Sequence, residues 1–234
     1  MIVEWLEQVS LDETLLIEKM KLRGAIIEKG LQVCRGLAEH ADPLFALKAC
    51  QVDGISDKRV RIDGVSFESA LLARILNGVD RVFAYVATSG PKVAAHTRQI
   101  DDMFDRYMAE GTEHFLLYAA KDALEDRLAK EMGHRNFYHV NPGSIEDWST
   151  LEIAGLFELM DGKPYELGME LTDSGLMKPS RSVCGFFFES ATPYVNCLLC
   201  LRQGCAERKA AFDEAMHADF SGKPVDGDVG ESAA

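Results

Sequence analysis

Between Asp12 and about His40, apolar residues recur near helical spacing: Leu15, Leu16, Leu22, Ile26, Val33 and Leu37, with charged residues between them. This pattern predicts one long amphipathic helix, stopped by Pro43. From Val52 the period changes. Val60-Arg61-Ile62 alternates, and Asp53-Gly54 and Asp63-Gly64 are turn signals, so a hairpin-like strand pair is expected. Phe67 to Leu76 reads as a helix. Arg81 to Thr88 is almost wholly apolar and rich in strand formers, as a strand covered on both faces would be. Ser89-Gly90-Pro91 ends it. Two helices follow, about Val93 to Ala109 and Thr112 to Glu131, divided at Gly111. Asn141-Pro142-Gly143 is a turn. Ser149 with Glu152 reads as a capping box that opens a helix through Met160, and Asp161-Gly162-Lys163-Pro164 closes it. Leu167 to Leu171 and Ser182 to Phe188 read as strands, and Ala206 to about Ala218 as a last amphipathic helix.

Helices and strands are interleaved, but the late strands lack regular crossover helices. That points to an α+β fold and not to a doubly wound parallel sheet. One domain is expected over residues 1–218, followed by a loose tail over 219–234 that is rich in Gly, Asp and Ser.

The chain has 234 residues and a formal net charge of -13. So acidic a surface disfavours nucleic acid and anionic membranes, both of which are met by Lys and Arg. No apolar run approaches the ~20 residues of a membrane helix. The start, Met1-Ile2-Val3-Glu4-Trp5, has no basic segment of the kind that opens a signal peptide. Six cysteines without a disulfide-framework spacing suggest a reducing cytoplasm. There is no internal repeat, P-loop or dinucleotide fingerprint.

Cys197-Leu198-Leu199-Cys200 followed by Arg202-Gln203-Gly204-Cys205 places three thiols within nine residues. Such an array suits an iron–sulfur cluster or zinc, with Cys184 or His217 as a fourth ligand. The alternatives are small apolar residues in a buried leucine-rich segment, or a redox pair. His40, His96, His114 and His134 have no metal-ligand spacing among themselves.

A family comes into view between Asn141 and Phe188. Asn141-Pro142-Gly143, Trp148 and Ile153-Ala154-Gly155-Leu156-Phe157-Glu158-Leu159-Met160 come first. Gly168-Met169-Glu170-Leu171-Thr172-Asp173-Ser174-Gly175-Leu176-Met177-Lys178-Pro179 follows, and then Ser182-Val183-Cys184-Gly185-Phe186-Phe187-Phe188. In order and approximate spacing these resemble the activation domain of cobalamin (vitamin B12)-dependent methionine synthase, over roughly residues 55 to 195.

The resemblance implies a single α+β domain with a bent, mainly antiparallel sheet and several packed helices. It implies binding of S-adenosylmethionine and presentation of its methyl group to cobalamin. The chain has no Asp-x-His-x-x-Gly corrinoid motif, so the cobalamin would be carried by a partner, a corrinoid-binding protein or methyltransferase. The site residues carried over are Glu125, His139, Pro142, Gly143, Asp173 and Tyr194. His139 stands where the family has an arginine, and Ser144 where it has a tyrosine. A histidine cannot form the bidentate fork of a guanidinium. Tyr138 and Arg135 are the nearby substitutes, and Asp173 keeps the carboxylate of the family's Thr-Glu-Ser on a shorter stem.

Two functions follow as expectations. One is an activation-type protein assisting reductive methylation of cobalamin on a partner. The other is a non-enzymatic metal-binding or docking module that kept the fold and lost the ligand site.

Overall fold

The computed structural model describes residues 1–133, 136–145, 147–205 and 208–221. Its frame is a seven-stranded sheet in the order β4-β3-β2-β5-β9-β6, with β1 added beside the first half of β2, and every pairing is antiparallel. The strands are β1 (Ile2–Trp5), β2 (Leu44–Ser56), β3 (Arg59–Ile62), β4 (Val65–Glu68), β5 (Arg81–Thr88), β6 (Phe137–Val140) and β9 (Ser182–Glu189). A separate two-stranded hairpin is made by β7 (Glu170–Leu171) and β8 (Met177–Lys178). The α+β class with a bent antiparallel sheet is what the chain adopts.

The bend lies in β2. Its first half pairs with β5 and β1, and its second half leaves to pair with β3 after a register shift between Val52 and Gly54. Asp53-Gly54 is therefore a bulge inside a long strand and not the expected turn. Asp63-Gly64 is a turn: both residues have positive φ (41° and 85°) and they join β3 to β4. The helix expected from Phe67 is shorter. Val65–Glu68 is strand, and α3 (Ala70–Ile75) begins after Ser69, whose hydroxyl accepts from the Leu72 N–H.

The sheet is covered on both faces. On one face Phe45, Leu47, Phe83, Tyr85 and Phe187 pack against Ala120, Leu124 and Leu128 of α5 (Met103–Met132). On the other, Phe186 and Phe188 meet α3, α6 (Ile153–Leu159) and Trp148, whose ring stacks on Phe186 at 5.5 Å. Double burial explains the unbroken apolar runs of β5 and β9.

Three helix expectations are corrected. The region from Asp12 to His40 is two helices, α1 (Glu13–Lys19) and α2 (Ile26–Ala38), because Lys21 and Gly24 take left-handed φ (54° and 56°). The apolar period runs through the break since Leu16 of α1, Leu22 of the link, and Leu31 and Cys34 of α2 are buried in one cluster with Met108. Gly111 does not divide a helix: the break falls at residues 98–102, inside the helix expected over about Val93 to Ala109, and α5 from Met103 to Met132 is continuous. A Cβ at Gly111 would lie 2.2 Å from Met20 Cε, so the glycine is a notch for α1. Ser149 caps a 3-10 turn (Thr150–Glu152) leading into α6, but Glu152 does not reach back in a capping box; its carboxylate accepts from the Glu68 N–H at 2.9 Å. Of the strand expected over 167–171 only Glu170–Leu171 forms, and Lys163–Glu166 before it is a short helix, α7.

A short helix α4 (Pro91–Thr97) follows β5. The last helix, α8, is Glu214–Ser221: residues 208–213 of the expected helix are not helical, and 219–221, expected in the tail, are; residues 206–207 of the expected helix, and 222–234 of the tail, lie outside the described residues. No helix among the described residues is long and apolar enough to cross a membrane.

Candidate functional site

β6 is the edge strand that builds the site. Its alternation sends Tyr138 and Val140 into the core with Phe188 and Phe186, and Phe137 and His139 to the face that α5 covers. His139 lies opposite Phe187, with ring centroids 5.6 Å apart. The next residue, Asn141, is buried and ends the strand. Its Nδ2 donates to the Tyr85 hydroxyl and to the Cys184 carbonyl, both at 2.6 Å. Its Oδ1 accepts from Asn196 Nδ2 at 3.0 Å.

Gly185 makes this close approach possible. A Cβ there would sit 2.1 Å from the Val140 carbonyl oxygen and 2.8 Å from Asn141 Nδ2. Pro142-Gly143 then turns the chain, with Gly143 at φ 74° and its N–H donating to the Trp148 carbonyl at 2.7 Å.

Between this segment and α5 lies a groove of about 370 Å³, a volume at the lower end of small-molecule pockets (~300–1,000 Å³). Leu117, Val183 and Val195 give it an apolar lining. The polar groups converging on it are Lys121, His139, Asn141, Ser144, Asn196 and Lys209, and Cys197 contributes to the wall. Asn196 Oδ1 is buried and without a hydrogen-bond partner. Burial, with Lys121 next, pushes the His139 imidazole down to about 4, so the ring is neutral near pH 7. A larger hollow of about 550 Å³ opens between α1 and α5 and shares His114 and Tyr118 with the groove, but holds none of the site residues carried over from the resemblance.

The expected site residues divide. His139 lines the groove, beside the Pro142-Gly143 turn. Glu125 stands one helical turn from Lys121 and pairs with it at 3.0 Å, outside the lining. Tyr194 is buried on the opposite face of the sheet against Phe188 (5.8 Å), and its neighbours Val195 and Asn196 reach the groove instead. Asp173 is exposed at the tip of the β7–β8 hairpin, which Gly175 holds tightly against the Thr150 carbonyl. Tyr138 faces the core, and Arg135 lies outside the described residues.

Cys197, Cys200 and Cys205 are free, half-buried thiols. Among the described residues no group of three or more His, Cys, Asp or Glu is placed to hold a metal ion, so the iron–sulfur or zinc expectation finds no support. Cys184 is buried in the sheet core and His217 packs against Phe212. The loop is organised by Arg208, whose guanidinium donates to the carbonyls of Cys197, Cys200, Arg202 and Ala210. Cys197 Sγ accepts from the Lys209 N–H at 3.4 Å.

Reading the sequence missed Lys121, Asn196, Lys209 and Arg208. Only Asn196, next to the cysteine array, carried a local signal.

No family model matches the sequence, and no curated protein matches it. Among solved structures the fold is similar to the crystal structure of the MetH reactivation domain bound to AdoHcy. The TM-score is 0.59 at 15% sequence identity, covering 84% of this chain and 81% of that one. At that identity the likeness establishes the fold.

Proposed function

We propose, from the fold shared with the MetH reactivation domain, that this chain is an activation-type protein for a corrinoid-dependent methyltransferase system. It holds an adenosyl ligand in the groove beside the Pro142-Gly143 turn and assists methylation of cobalamin carried by a partner protein. In the enzymatic form of this reading S-adenosylmethionine is the methyl donor.

The observation that supports it is the position of the groove. His139, Asn141 and Ser144, from the segment that carries the resemblance, line a hollow of suitable size whose wall presents an orphaned acceptor, Asn196 Oδ1. A buried acceptor without a donor is costly and fits a ligand that brings an N–H or O–H. Lys121 and Lys209 suit the ligand's carboxylate, and Leu117, Val183 and Val195 suit the adenine face. Glu125 holds Lys121 in place, and Tyr194 supports the Val195-Asn196 wall from below. Exposed Asp173 is assigned to the docking side.

Calorimetric titration of the full chain with S-adenosylmethionine and S-adenosylhomocysteine tests the ligand: heat from at least one is expected, and none from either rejects it. Co-elution with a cobalamin-loaded corrinoid protein tests the partner. The second reading, a docking module without a ligand, draws on a neutral His139 that cannot grip a carboxylate as an arginine would.

A further inference from the structure

Of the six cysteines, Cys34, Cys50 and Cys184 are buried, whereas Cys197, Cys200 and Cys205 are partly exposed. The last three are not placed as one metal-binding set among the described residues, but two of them share a turn. Cys197 opens it and Cys200 closes it. The Cys200 N–H donates to the Cys197 carbonyl at 3.4 Å, and Leu199 between them has φ -107° and ψ -1°. This is close to a type I turn, whose end Cα atoms lie within ~7 Å, and a disulfide spans Cα atoms ~4.4–6.8 Å apart. The turn continues a 3-10 helix (Asn196–Leu198), in which side chains three residues apart stand one above the other, so both thiols start from one side of the chain. Arg208 fixes the pair further. Its Nη1 donates to the Cys197 carbonyl and its Nη2 to the Cys200 carbonyl, both at 3.0 Å, so one planar guanidinium grips both cysteine backbones. Cys205 comes after Gly204, which takes left-handed φ (64°), and is outside this turn.

The turn is also part of the groove. Cys197 lines the groove, and Cys200 is outside the lining. Cys197 Sγ accepts from the Lys209 N–H at 3.4 Å, and Lys209 lines the groove together with Asn196, the residue before Cys197. A bond to Cys200 draws Sγ toward a residue outside the lining and loosens its contact with the Lys209 N–H.

We infer that Cys197 and Cys200 form a reversible thiol–disulfide pair whose oxidation reshapes the groove wall. Control of ligand binding by the pair rests on the adenosyl reading above; the pair itself does not. The oxidant is a low-molecular-weight disulfide such as oxidised glutathione. One cysteine thiolate attacks a glutathione sulfur, which forms a mixed disulfide and releases one glutathione thiol. The other cysteine then attacks the protein sulfur of that mixed disulfide, the bond to glutathione breaks, and the second glutathione thiol leaves. Two electrons pass from the cysteines to glutathione, and the two cysteine protons end on the released thiols.

The test incubates the full chain over a series of oxidised-to-reduced glutathione ratios, with circular dichroism checking the fold, followed by thiol counting and peptide mapping. The expected product is an intramolecular Cys197–Cys200 disulfide, with two of the six thiols lost and then recovered in dithiothreitol. Cys205→Ser should form it equally, and Cys200→Ser should stop at a glutathione adduct on Cys197. A bridge to Cys205, adducts without a bridge, or no reaction at any ratio overturns the pair. The wall is read without ligand by NMR: the Lys209 amide and the Asn196 side-chain amide should shift on oxidation, and signals that stay in place overturn the effect on the groove. Calorimetry with S-adenosylhomocysteine should give affinities at least several-fold apart for the two forms, and equal affinities overturn the control of binding. Binding to neither form rejects the adenosyl reading, while the mapping and the NMR still decide the pair and the wall.

Discussion

Replacing Asn141 by alanine removes the polar strut between the sheet core and the groove wall. Three hydrogen bonds go: two donated by Nδ2, to the Tyr85 hydroxyl and the Cys184 carbonyl, and one accepted by Oδ1 from Asn196. Asn196 lines the groove and can turn to water, so its loss is small. Tyr85 is fully buried and its hydroxyl is left without a partner. A net hydrogen bond is worth ~1 kcal/mol and a buried orphan costs ~1–3 kcal/mol. The sum is about 2–4 kcal/mol, or on the order of 5–15 °C in Tm for a chain of this size. Urea unfolding at neutral pH measures it. Tyr85→Phe alone should cost about 1 kcal/mol. In the double variant the two losses should be clearly less than additive, because no hydroxyl remains to be orphaned. A loss under about 1 kcal/mol for Asn141→Ala, or strict additivity, refutes the reasoning.

Three further outcomes are expected. Gly185→Ala places a Cβ 2.1 Å from the Val140 carbonyl oxygen. It should cost about 3 kcal/mol by forcing β6 from β9, read as a lowered urea midpoint; unchanged stability would contradict the packing. Glu113 is buried, and desolvation raises its carboxyl above the ordinary value. A raised folded-state pKa gives stability that is present below the unfolded value and lost as pH rises through the folded one. Glu113→Gln should therefore be more stable than the parent at pH 7.5, with the advantage vanishing below pH ~4, where both forms are neutral. Arg208→Ala frees the carbonyls of Cys197, Cys200, Arg202 and Ala210. Thiol labelling of Cys197 and Cys200 should accelerate at least several-fold, and Arg208→Lys should not restore protection, since a single ammonium cannot replace the planar fork.

Elements with a strong local cause were legible. β5 and β9 are apolar on both faces, and Asp63-Gly64, Ser89-Gly90-Pro91 and Asp161-Gly162 interrupt the chain where they should. Errors came where partners elsewhere decide. Gly111 read as a helix break until Met20 filled the space above it. Asp53-Gly54 read as a turn, although the strand passes through them as a bulge. The site was legible to the same degree. His139 and the Pro142-Gly143 turn were marked as a unit, whereas Lys121, Asn196 and Lys209 sit on segments that meet it only in space.

The order of apolar and polar residues was thus enough to determine the α+β class and the doubly covered central strands, while the segment on which the groove is built was marked by the family resemblance. Periodicity reports which side of an element is buried, because burial acts on each residue singly. It does not report what lies against that side. Only the packing of α5 across β6 and β9 decided that Lys121 faces His139, that Tyr194 goes under the sheet while Asn196 stays above it, and that the thiol loop closes around Arg208. Those outcomes depend on crossing angles and register between segments far apart in the chain, and such relations have no local signature.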